Sequence, residues 1–243
     1  MSQLCKLYFP IFLIALCSSS CGSIAYENGY SRYIHFNGFT IDKASIFKAT
    51  KSEFATYDIH PREVIADIGF NYGSIEGALL LSYDSLTIYA EDFQTPARNE
   101  KIIYKTFEQY VALRPTPNSN KIIVVKGSQK ETTLPRNYFD KVIVRKTLHH
   151  IFYKDTILDD IFSILKPNGK LYIMEPSTDT TYYDKKCGTD IMGKSVLISL
   201  FNKHHFSVIS ESSIQNNKND AAPWVLGTLE IPFTIYVLKK NEK

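Results

Sequence analysis

The sequence predicts an α/β chain built on a doubly wound, mostly parallel sheet with helices on both faces. Three observations predict it. The 243 residues are 44% hydrophobic, which is enough for one sizeable core. From residue 63 onward, short Val- and Ile-rich runs alternate with one-sided helical patterns, as expected when strands are buried on both faces. The first of these runs ends in an aspartate and a glycine-bearing turn, "VIADIGFNYGSIEG", at the place where such sheets bind ligands.

The elements follow in order. Residues 1–21 read as an export signal: "MSQLCK" carries one positive charge, "LYFPIFLIALC" is a short apolar run and "SSSCGS" supplies small residues. An apolar run of about eleven is too short to span a membrane, which takes roughly 20 residues. Cys21 resembles the lipid-attachment cysteine of bacterial lipoproteins, although Ser18 stands where that pattern prefers an aliphatic residue. Plain signal cleavage or a buried N-terminal helix are the alternatives. Residues 22–62 read as an aromatic and helical prelude, with helix-like spacing at Ile41, Ile46, Phe47 and Phe54. The remaining stretch, 63–243, reads as one domain.

Within it "EVIADIGF" is a buried strand, "GSIEGALLLSY" a helix and "SLTIYAEDF" a second strand. "NEKIIYKTFEQYVAL" is a helix leading to the strand "KIIVVKG", and "KVIVRKTL" is the next strand. "KDTILDDIFSILK" places Ile157, Ile161, Phe162 and Leu165 on one helical side and is stopped by "PNG" before the strand "KLYIMEP". "DIMGKSVLISLFNKH", "FSVISESSI" and "IPFTIYVLKK" close the chain as helix, strand and strand.

Charge and cysteine content exclude some functions. Lys and Arg number 28 against 25 Asp and Glu, a formal charge of +3 with no basic stripe, so nucleic acid is not an expected partner. Of the four cysteines, Cys5 and Cys17 fall in the signal and Cys21 at its end. Cys187 then stands alone and reads as inert, without an intramolecular disulfide. His204 and His205 have no cysteine or paired carboxylates at metal-site spacing, so no metal is expected. No Gly-x-Ser-x-Gly elbow is present, which removes the common hydrolase of this architecture.

The opening turn carries the chemistry. Gly69 directly after the strand, and Gly73 at the helix start, let the backbone approach a ligand without a Cβ in the way. The second strand ends in Glu91 and Asp92, where an acidic side chain can accept hydrogen bonds from two ribose hydroxyls. The phase of "TIYAED" favours Asp92 over the crevice, with Glu91 as the alternative.

Four segments in order resemble the class I S-adenosylmethionine-dependent methyltransferases: "ADIGFNYGSIEG", "YAED", "YFDKVIVRKTLHHI" and "ILDDIFSILKPNGKLYIMEP". The resemblance spans about residues 60 to 240 and implies a Rossmann-like, seven-stranded fold with S-adenosyl-L-methionine as co-substrate. By the same resemblance Asp67 orients the amino acid end of that molecule, while Gly69, Asn71 and Gly73 form the loop that closes on it. Asp92 or Glu91 holds the ribose, Ser128 and Gln129 flank the adenine, and Arg145 begins the loop over the methyl-bearing sulfur. His149 and His150 are the general-base candidates, if they do not simply pack at the start of the next helix. Asn71 replaces the family's middle glycine, Asn168 one of two glycines in "PNG", and Ser128 an acidic residue near the adenine.

The resemblance implies a methyltransferase acting on a small-molecule, lipid or protein acceptor. An export signal sits poorly with a methyl donor kept in the cytosol, so the alternative is a non-catalytic envelope lipoprotein using the crevice as a binding module. Either would be exported and possibly anchored through Cys21, or cytoplasmic if the signal does not work. Nicotinamide-dependent oxidoreduction fits less well, because the loop lacks the third glycine of the dinucleotide fingerprint. Acceptor pockets are expected from "YENGYSRYIHFNGF" and "STDTTYYDKKCGTD".

Overall fold

The computed structural model describes residues 35–36, 39–40, 43–71, 73–93, 95–185, 187–214 and 232–241. The export signal, Cys21, Ile41 and most of "YENGYSRYIHFNGF" lie outside the described residues. In chain order the elements begin with the two-residue strands β1 (His35–Phe36) and β2 (Phe39–Thr40) and the helix α1 (Lys43–Tyr57). They continue with β3 (Val64–Ile68), α2 (Ser74–Ser82), β4 (Thr87–Asp92), α3 (Thr95–Ala112), β5 (Lys121–Lys126) and β6 (Phe139–Arg145). After a 3-10 turn at Leu148–His150 come α4 (Lys154–Ile164), β7 (Leu165–Pro176), β8 (Tyr182–Asp184), β9 (Thr189–Ile191), α5 (Lys194–Lys203), β10 (Phe206–Ile214) and β11 (Phe233–Lys240).

Seven strands form one sheet in the order β10-β11-β7-β6-β3-β4-β5. The five strands from β7 to β5 are parallel, while β11 runs antiparallel to both β7 and β10. The doubly wound, mostly parallel fold read from the sequence is therefore the observed one. Alternate residues of each central strand enter opposite layers, as the two-residue period of a strand requires. Ile65, Ile88 and Ala90 pack with α1, α2 and α3, whereas Ala66, Val142, Val144 and Ile173 pack with α4 and α5.

Several boundaries differ from the sequence reading. β7 begins at Leu165, ahead of "PNG", and its register against β6 shifts between Phe139 and Lys141. The "PNG" turn is thus a bulge inside the strand, which the residue pattern alone cannot separate from a helix stop. Thr189, Asp190 and Ile191 pair with Tyr182–Asp184 as a hairpin, and α5 starts only at Lys194. Of the helical positions assigned to the prelude, Ile46 and Phe54 are buried and Phe47 is exposed.

Candidate cofactor and active site

β3 has β4 on one side and β6 on the other, so the chain's winding direction reverses there and opens a crevice at the carboxyl ends of these strands. The loop after β3 lines it. Gly69, Asn71 and Gly73 all take positive φ, at 80°, 54° and 78°. Asparagine tolerates this left-handed conformation better than most residues, which explains how Asn71 stands where a glycine was expected. The Gly69 and Phe70 N–H groups both donate to the Glu91 carbonyl, at 2.8 and 3.2 Å, and Gly73 N–H donates to the Phe70 carbonyl at 3.1 Å. A Cβ on Gly69 would lie 2.2 Å from Thr147 Cγ2, so the segment after β6 packs directly on the loop.

Glu91 and Asp92 separate as neighbours on a strand must. Asp92 shares the face of Ile88 and Ala90, and its Oδ2 accepts the Asn71 N–H at 3.1 Å. Glu91 instead lines a narrow slot with Gly69, Ser128, Gln129, Thr147 and Ile151. Of the two acids left open by the sequence, Asp92 braces the crevice loop and Glu91 lines the slot. Gly127 is required beside it, because a Cβ there would lie 1.5 Å from Glu91 Oε1.

Ser128 and Gln129 line the slot, with the Ser128 hydroxyl engaged in its own loop and the Gln129 carbonyl in the turn after β6. Ser128 Oγ accepts from the Lys130 and Glu131 N–H groups at 3.1 and 3.0 Å, and Gln129 Oε1 accepts the Phe152 N–H at 3.1 Å. Arg145 spends its side chain on a different contact. Its guanidinium is buried against α1 in a two-point pair with Glu53, at 2.7 and 3.2 Å, and the Tyr57 hydroxyl donates to the same carboxylate at 2.7 Å. The arginine therefore anchors the prelude helix to the sheet, while the segment that follows it lines the slot through Thr147 and Ile151.

Burial sets the electrostatics. Asp67 is 3% exposed and shares a side-chain hydrogen bond with the likewise buried Glu76 of α2. Burial raises its pKa to about 6, partly opposed by Glu76 and by Arg145. Burial and then the Asp67 charge hold the wholly buried Glu76 of α2 well above the carboxylate range. Glu91 is raised to about 9 by burial first, then by Asp92 and Asp67. Glu91 and Glu76 are thus held protonated near neutral pH, while Asp67 is mostly ionised there.

On the other side of the slot, the turn after β6 presents His149 and His150. His149 Nδ1 lies 2.6 Å from Glu175 Oε2, and its backbone N–H donates to Glu175 Oε1 at 3.4 Å. This fixes the ring and turns Nε2 away from the carboxylate. The His150 ring lies 4.0 Å from that of His149, and burial followed by the His149 charge lowers its pKa to about 4. Glu175, absent from the site expected by sequence, ends β7 in "IMEP", a strand-end acid of the same kind as Glu91. His204 is elsewhere, with its ring nitrogens 2.6 Å from Asp155 and from Asp159.

A doubly wound sheet with a positive-φ loop, an acid at the floor and a second acid in the slot defines a nucleoside-cofactor enzyme of the α/β class. A family model described as a methyltransferase domain matches residues 45–219, most of the chain, and the chain belongs to that family. Curated relatives are far longer. A probable polyketide synthase of Dictyostelium discoideum is 36% identical over 55 residues, covering 23% of this chain and 2% of the relative. A highly reducing polyketide synthase of Gibberella zeae is 25% identical over 147 residues, covering 54% of this chain and 5% of the relative.

Solved structures share the fold. A SAM-dependent methyltransferase of Leishmania major gives a TM-score of 0.59 at 17% identity, covering 88% of this chain and 82% of its own. The 1,6-didemethyltoxoflavin N1-methyltransferase of Burkholderia thailandensis, with S-adenosylhomocysteine bound, gives 0.57 at 16% identity, covering 87% and 85%. A phosphoethanolamine N-methyltransferase of Haemonchus contortus, also with S-adenosylhomocysteine, gives 0.62 at 14% identity, covering 88% and 56%.

Proposed function

We propose that this chain transfers the methyl group of S-adenosylmethionine to a small-molecule acceptor. The observation that carries the reading is the slot itself. A loop with no room for a Cβ at Gly69 runs past the buried Asp67, and the Glu91 carboxyl lines the slot beside it. These residues suit that molecule: Glu91 accepts its ribose hydroxyls, Asp67 takes its amino acid end, and the backbone around Ser128 borders its base. Because the Ser128 hydroxyl is spent on its own loop, adenine recognition falls to main chain, to the Gln129 amide N–H and to apolar contact with Ile151. When bound, the molecule supplies an activated methyl on a sulfonium leaving group.

The protein then has to align the acceptor and handle its proton. For the proton our candidates are the Glu175-held His149 and its neighbour His150, in the turn between the slot-lining Thr147 and Ile151. Small molecules are the favoured acceptors because the Burkholderia neighbour holds 1,6-didemethyltoxoflavin and the Haemonchus neighbour phosphomonomethylethanolamine. The non-catalytic binding-module reading gains no support from a family described as a methyltransferase domain.

Calorimetric titration of the purified chain with S-adenosylmethionine and S-adenosylhomocysteine tests the reading. We expect micromolar affinity that Glu91→Ala weakens tenfold or more, about 1.4 kcal/mol. A folded chain that binds neither ligand would overturn it. Export and a Cys21 lipid anchor remain a separate proposal, and among the described residues no helix is long and apolar enough to cross a membrane.

A further inference from the structure

The hairpin of β8 and β9 carries Cys187 to the turn after β6. One ligand atom from each of His149, His150 and Cys187 lies within 4.8 Å of the other two. Sequence placed the cysteine 37 positions beyond His150 and gave no reason to join them. The Thr189 hydroxyl donates to the His149 carbonyl at 2.8 Å, which ties the hairpin to the turn and holds the three side chains on one patch.

We propose that His149 Nε2, His150 and Cys187 Sγ bind a Zn²⁺ ion, leaving a fourth position open toward the acceptor. The donor set suits zinc, which takes imidazole and thiolate, and three protein ligands with an open position is the arrangement of catalytic zinc. Tetrahedral bonds of about 2.0–2.3 Å put ligand atoms roughly 3.3–3.6 Å apart, so the cluster has to contract by only about 1 Å. Glu175 plays the supporting part such sites use: its Oε2 lies 2.6 Å from His149 Nδ1, which directs Nε2 to the metal. The neighbouring charges include two carboxylates, Glu175 and Asp190, and one cation, Lys154, whose Nζ is held by the Ile151 carbonyl at 2.6 Å.

The metal's task rests on the proposed methyl transfer, whereas its binding does not. A thiol or hydroxyl of the acceptor loses its proton to water on joining the open position. Its lone pair then forms the new bond to the methyl carbon as the carbon–sulfonium bond breaks, leaving a methylated acceptor and a neutral thioether. Zinc thereby does for the acceptor what a free imidazole does less strongly.

The test uses the full chain, untagged and reduced. Metal-free protein is titrated with Zn²⁺ against a chromophoric chelator, and with Co²⁺ while the thiolate-to-cobalt charge-transfer band is followed. One equivalent is expected, with Cys187→Ser abolishing the band and weakening zinc at least tenfold, His150→Ala weakening zinc likewise, and Glu175→Gln weakening it about 10- to 100-fold. S-adenosylhomocysteine binding retained by Cys187→Ser shows that variant to be folded. Absence of the cobalt band in the wild type, or equal zinc affinity in wild type and Cys187→Ser, overturns the site. Zinc binding without any S-adenosylhomocysteine binding upholds the site and sinks only its assigned task.

Discussion

Replacing Glu91 with glutamine keeps the side chain's shape and removes a carboxyl whose pKa burial raises from 4.5 to about 9. Because the folded-state value lies above the unfolded one, the folded chain holds a proton that the unfolded chain releases. The stability this carboxyl contributes is complete below about pH 4.5 and is lost as pH rises toward 9. The slope is at most about 1.4 kcal/mol per pH unit, so between about pH 6 and about pH 8.5 the loss reaches up to roughly 3 kcal/mol. Urea unfolding followed by circular dichroism at those two pH values measures it. The wild type should lose stability across the interval, and Glu91→Gln should lose clearly less. Some slope should survive in the variant, since Glu76 and Asp67 are also raised by burial. The same carboxyl must ionise to accept ribose hydroxyls fully. Binding of S-adenosylhomocysteine should therefore release a proton in the wild type, seen as a dependence of the calorimetric heat on the buffer's ionisation enthalpy. Equal pH slopes in the two proteins, together with no buffer dependence, would refute both the buried neutral Glu91 and its role in the slot.

Other substitutions test the remaining parts. Gly69→Ala should cost more than about 1–2 kcal/mol in unfolding experiments, because φ of 80° is unfavourable for alanine and the new Cβ would strike Thr147. Adding Thr147→Ala should recover the contact part of that loss but not the backbone part. Gly127→Ala should displace the Glu91 carboxyl and weaken S-adenosylhomocysteine by about tenfold or more in calorimetry, given the 1.5 Å approach. Arg145→Met should destabilise by about 3–5 kcal/mol by leaving Glu53 buried and unpaired, and a second change, Glu53→Gln, should restore part of it. If the chain is exported and lipidated, detergent fractionation of expressing cells should find it with membranes and Cys21→Ala should release it.

The strands and the cofactor loop were legible because each rests on local pattern. Val- and Ile-rich runs, a Gly69 turn and an acidic strand end need only a few neighbouring residues to be recognised. The facing of Glu91 and Asp92 was not, since a strand's period of two makes the choice hinge on which layer holds the crevice. That is settled by the partners of β4, and periodicity within "TIYAED" carries no information about them. The Arg145 pair was hidden for a similar reason: its partner Glu53 is 92 positions away on the prelude helix, and an arginine at a strand end looks the same whether it is paired or poised. Glu175 and Cys187 join the His149 turn only through the sheet and the β8–β9 hairpin, whose strand pattern is three residues long on each side.

The gathering of acids at this end of the sheet also bears on which ligand the slot prefers. Glu53 is matched by Arg145, but the Asp92 and Asp67 charges add to burial in raising Glu91, and Asp67 is itself buried beside Glu76. Burying carboxyls in this way weakens a fold unless a ligand compensates them. S-adenosylmethionine brings an ammonium and a sulfonium against a single carboxylate, and S-adenosylhomocysteine lacks the sulfonium. As Asp67 and Glu91 ionise above their pKa values of about 6 and about 9, the attraction to the extra positive charge grows. The ratio of S-adenosylmethionine to S-adenosylhomocysteine affinity should therefore rise with pH in the wild type and flatten in Glu91→Gln. A ratio that stays constant with pH in both proteins would mean that the acids serve the loop's architecture and do not sense the charge of the methyl donor.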